Sequence, residues 1–133
     1  MTQPGLHKIG IGLTVLVALF WIMDSAMKLA GLHQVAETMG PLGWPVDPAT
    51  VLTLGLIQAM CLLLYLVPRT AVLGAILLTA YLGGAIATHA RVGSPLPSHT
   101  LFGVYVGLAT WGALWFRLPA LRALIPFHIA HKE

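Results

Sequence analysis

Four apolar runs, residues 9–27, 49–67, 71–90 and 99–116, dominate this 133-residue chain, and Asp24 is the one Asp, Glu, Lys or Arg inside them. Each is 18 to 20 residues long, and a helix of roughly 17–25 apolar residues, rising about 1.5 Å per residue, crosses a hydrocarbon core of ~30 Å. No water-soluble fold hides that many unbroken apolar segments. The composition agrees: 58 % hydrophobic and 8 % charged residues, with a mean hydropathy of +0.88, against roughly 45–50 % and about 25 % for a soluble domain. The expected fold is all-α, a membrane four-helix bundle in a single domain, 1–133, in contact with the lipid bilayer.

The punctuation between runs sets the helix ends. In "VDPAT", Asp47 stands at an N-cap position and Pro48 at the first helical position. "LVPRTA" stops the second helix at Pro68 and restarts the third, with Thr70 as its cap, so the two form a tight antiparallel hairpin. "SPLPSH" opens the fourth helix, and "LPALRALIP" predicts a short interfacial helix ended by Pro126. In the loop 31–47, Leu32, Val35, Ala36 and Met39 recur at helical spacing and Trp44 suits the headgroup level, so a short interfacial helix is expected there. The first run follows Lys8 and precedes small residues, as a signal peptide would; the expectation is that it stays as the first span.

Lys8, Arg69, Arg117, Arg122 and Lys132 fall on one side of these spans and Lys28 and Arg91 on the other, so the positive-inside rule predicts both termini in the cytoplasm. The net charge of +3 is carried by these flanking residues. With no basic run or aromatic-interleaved patch, nucleic acid is not expected as a partner.

This topology gathers Asp24, Lys28, Thr88, His89, Arg91, His99 and Thr100 in the outer leaflet, and places Gln58 deeper, as the floor of any cavity. Asp24 and Lys28, four apart, share a helix face and can pair. A carboxylate at mid-membrane costs about 2.5–3.5 kcal/mol on insertion scales, so Asp24 is expected to face the bundle, paired with Lys28 or, across the bundle, with Arg91. Arg91 offers a fixed donor fork and His89 a group that titrates near neutrality, which would suit an anion or a polarised carbonyl; the plainer reading has Arg91 reaching headgroups and His89 capping carbonyls. Asp24 and His89 are the candidate acid and base. No CxxCH, CxxC or HxxxH occurs, so no intrinsic haem or metal is expected on His89 and His99. The lone Cys61 is expected to be buried and inert. Gly103 and Gly107 at GxxxG spacing, opposite Gly83 and Gly84, predict close packing of the third and fourth helices, with a homo-oligomer as the other use of such a motif.

The stretches "DSAMKLAG", "LYLVPRTAVLGAILLTAYLGGAIATHARVGSPL" and "HTLFGVYVGLATWGALWFRLPALRALIP" resemble the DoxX-like family of small bacterial membrane proteins with four transmembrane helices. The matching positions are Asp24, Lys28, Pro68, Arg69, Gly83, Gly84, Thr88, His89 and Arg91. The resemblance implies a bacterial cytoplasmic membrane location. It also implies kinship with subunits of a thiosulfate:quinone oxidoreductase and of redox-defence assemblies, hence a redox partner protein and a quinone or small anion in the polar pocket. Family members often carry Glu where this chain has Gln58, which implies that any proton handling by that acid is lost or changed here. Three readings stay open: a membrane subunit of a redox assembly, a self-contained binding protein or enzyme using Asp24 and His89, and a structural anchor for a partner.

Overall fold

The computed structural model describes residues 3–125, all helix, turn or loop, with no strand among them. Helix α1 (Gln3–Leu29) ends at Gly31, whose φ of +62° only glycine takes without strain. Helix α2 (His33–Met39) and a 3₁₀ turn (Gly40–Leu42) follow, then α3 (Pro48–Leu66), α4 (Ala71–Arg91), α5 (Phe102–Arg117) and α6 (Pro119–Leu124). Helices α1, α3 and α4 are long and apolar enough to cross a membrane.

The four longest helices pack as a ring: α1 lies against α3 and α5, and α4 against the same two. Neighbours run antiparallel. Along α1 from Asp24 to Lys28 the facing residues of α3 run back from Gln58 to Gly55, and along α5 from Gly103 to Trp111 those of α4 run back from Ile86 to Thr79. Trp21, Tyr65, Leu78 and Leu114 fill the centre. The outward residues are equally apolar, with Leu16, Met60, Leu63 and Leu108 each more than 60 % exposed. An apolar inside with an apolar outside is the pattern of a protein whose solvent is lipid.

Glycine sets the closest approaches. A side chain on Gly74 would run into the Tyr65 backbone, one on Gly103 into Ile86, and one on Gly10 into Arg117. The packing expected between the third and fourth runs therefore rests on Gly103. Gly83 and Gly84 have open space where a Cβ would go, so they take no part in it.

The helix ends follow the expected punctuation with two differences. Asp47 caps α3, accepting from the Thr50 amide at 3.0 Å and the Thr50 hydroxyl at 2.6 Å. Thr70 stands at the N-cap of α4, where its carbonyl accepts from the Gly74 amide, but its hydroxyl makes no cap bond there: it donates to the Leu64 carbonyl at 2.8 Å, satisfying the end of α3 instead. The fourth run also begins later than expected. Leu96–Thr100 winds as a π turn, with Leu101 N–H reaching back to the Leu96 carbonyl, and α5 starts only at Phe102. His99 thus sits in the turn, outside the helix. At the other end, α6 tucks Leu121 into the core; Pro126, expected to end it, and Lys132 lie outside the described residues.

Candidate functional site

A cavity of about 500 Å³ opens at the end of the bundle where α1 and α4 finish and α3 and α5 begin. Its walls are mostly apolar. Phe20 meets Phe102 edge-on with ring centroids 5.5 Å apart, and Trp21 meets Tyr81 at 6.0 Å. Trp21 precedes Asp24 by three residues and Lys28 follows it by four, so α1 presents all three on one face.

Asp24 and Lys28 form the polar edge. Lys28 Nζ donates to Asp24 Oδ2 at 2.5 Å, and Gln58 Nε2 donates to the same oxygen at 2.6 Å. Gln58 is fully buried, so the helix-to-helix bolt joins α1 to α3. The alternative partner considered for Asp24, Arg91, is engaged elsewhere: its guanidinium donates to the Leu42 carbonyl at 2.6 Å, and it is not on the cavity wall. Gln58 lies behind Asp24 and does not line the cavity. Its Oε1 and the Trp21 indole N–H are buried with no hydrogen-bond partner among the described residues.

The histidines stand at the mouth. His89 and His99 both line the cavity, with ring centroids 5.9 Å apart. His89 Nδ1 is hydrogen-bonded to the Ser94 hydroxyl at 3.0 Å, and His99 Nδ1 to Ser98 at 2.8 Å. Each ring is held through Nδ1, and Nε2 takes no hydrogen bond from another described residue. Thr88 is also on the wall, its hydroxyl donating to the Gly84 carbonyl at 2.8 Å. No group of three or more His, Cys, Asp or Glu side chains is placed to hold a metal among the described residues.

The segment between α1 and α3 roofs the cavity. Thr38, Met39, Leu42 and Trp44 line it from above. Val35 and Met39 pack with Val51, Met27 and Leu54, so α2 docks onto α1 and α3, while Arg91 fastens the following turn to α4. This roof carries more than the surface helix that its apolar spacing predicted.

Of the residues singled out from sequence, Asp24, Lys28, Thr88, His89 and His99 share this cavity, Gln58 supports it from behind and Arg91 ties down its roof. Phe20, Trp21, Tyr81 and Phe102 were missed. Only the three- and four-residue spacing about Asp24 pointed to Trp21.

Compared with models of known families, residues 12–113 match the DoxX-like family. The comparisons with curated proteins and with solved structures found no match.

Proposed function

The chain belongs to the DoxX-like family, and from that premise we propose that it crosses the membrane four times and holds a neutral ring-shaped ligand of quinone type, as the membrane subunit of a redox assembly. The observation that carries this reading is the cavity's charge balance: its wall bears one carboxylate, Asp24, and one ammonium, Lys28, set in a largely aromatic and aliphatic lining. A small anion would need the positive surplus that Arg91 would have supplied, and Arg91 is spent on Leu42. A neutral ring with one polar edge matches what remains. The volume falls within the ~300–1,000 Å³ of ordinary small-molecule sites.

Family kinship supports the redox setting, and helix length supports the fourth crossing. Helix α5 has 16 residues, a rise of ~24 Å, and the π turn before it extends the segment toward the ~30 Å of a hydrocarbon core. The charge asymmetry supports an outer-leaflet cavity, because Lys8, Arg69, Arg117 and Arg122 belong to the opposite end of the bundle. His89, its ring held by Ser94, is the group placed to exchange a proton with the ligand at the mouth.

Two adjacent glycines test the site. Both have room for a side chain, but Gly84 lines the cavity and Gly83 does not. In nanodiscs, with a short-chain quinone binding monitored by tryptophan quenching, Gly84→Leu is expected to weaken binding about tenfold or more, about 1.4 kcal/mol, and Gly83→Leu to leave it unchanged. Equal behaviour of the two variants would refute the cavity as the binding site.

A further inference from the structure

We infer that the cavity selects ligands that offer a hydrogen-bond donor at their polar edge, a hydroxyl-bearing aromatic ring over its ether or ketone counterpart. This rests on the cavity reading above and adds to it the form of ligand retained. The argument starts at Asp24. Both protein donors, Lys28 Nζ and Gln58 Nε2, converge on Oδ2. Oδ1 takes a hydrogen bond from no described residue. The carboxylate is also the partner that shows: the Asp24 side chain is 35 % exposed and that of Lys28 11 %. What the polar edge presents to a ligand is therefore chiefly an unfilled anionic acceptor.

A ketone or ether oxygen brings only lone pairs to that position and leaves Oδ1 unanswered. A hydroxyl donates to it, and hydrogen bonds to a charged group are the stronger kind. The phenol-type hydroxyl also stays neutral, so it reaches the carboxylate without adding charge to the Asp24–Lys28 pair. A cationic amine would also donate, but it would approach a carboxylate already holding the Lys28 ammonium, and like charges repel. A neutral hydroxyl is the chemistry that fits Oδ1. For a quinone-type ligand this means that the dihydroxy form is the one held.

The test uses the full chain in phosphatidylcholine nanodiscs and a matched pair of probes, para-octylphenol and its methyl ether, with Gly84→Leu measured alongside to subtract partition into lipid. The phenol is expected to bind roughly ten- to a hundredfold more tightly than the ether, and Asp24→Asn to shrink that preference. Equal affinity for the two probes overturns the donor preference while leaving the cavity reading intact. Binding of neither overturns the cavity reading and the preference with it. The wild-type comparison decides the matter even where Asp24→Asn does not fold.

Discussion

At the scale of single residues, small size and hydrogen bonding do what charge does in a soluble protein. Gly74 is the clearest case, because any side chain there meets the Tyr65 backbone, which cannot rotate away as a side chain would. Gly74→Ala is therefore expected to lower stability by about 1–3 kcal/mol or more, seen as earlier loss of the folded species on heating in detergent, whereas Gly83→Ala, with open space, leaves it unchanged or slightly higher. Asp47 gives a pH signature. Hydrogen bonds from the Thr50 hydroxyl, and then the Thr50 amide, hold its carboxyl below its ordinary value. A depressed folded pKa contributes stability that is present above the unfolded value, about 3.9, and is lost as pH falls through the folded one. The stability difference between wild type and Asp47→Ala should be steady near neutrality and fade below about pH 4. Asp47 was legible because a cap is local in sequence. Gly74 was not, because which glycine meets a neighbouring backbone depends on helix rotation, and that is decided by partners far along the chain.

At the scale of elements, the second and third helices were readable almost to the residue, since proline, aspartate and a change of hydropathy bracket them. The start of the fourth was not, because the proline-rich "SPLPSH" is compatible with an immediate helix and with the π turn that forms. The aromatic wall was hidden for a different reason: in an apolar span, an aromatic facing a cavity reads the same as one facing lipid. Similarly, the spacing of Val35 and Met39 announced a helix but not that it would dock as a roof. That roof is anchored on one side by apolar packing and on the other by the Arg91 hydrogen bond to Leu42, with Gly43 beyond it at a φ of +81°. Arg91→Ala is expected to raise amide hydrogen exchange across residues 40–44 severalfold while the exchange of α3 and α4 stays unchanged. Uniform protection in the variant would show that the roof needs no such fastening.

At the scale of the whole molecule, orientation is the property with the plainest readout. The proposed topology places the cavity end outside, so an impermeant thiol reagent applied to intact cells should label Leu96→Cys and spare His7→Cys; the reverse pattern would turn the protein over. The native Cys61 is buried and stays silent in this assay. The ring of helices bears, finally, on how the chain comes to be assembled. Its closing contact joins α1 to α5, the first and last of the long helices, so the enclosure of Val17 and Trp21 is completed by a segment synthesised some eighty residues later. In such an assembly α1 would enter the bilayer before α5 is made, with Asp24 partnered by its own Lys28 and, once α3 is in place, by Gln58. The carboxylate's local partners would then lower the cost of early insertion of the first helix, and a chain arrested before Phe102 should remain membrane-bound but exposed to the quality-control proteases that recognise an unclosed bundle.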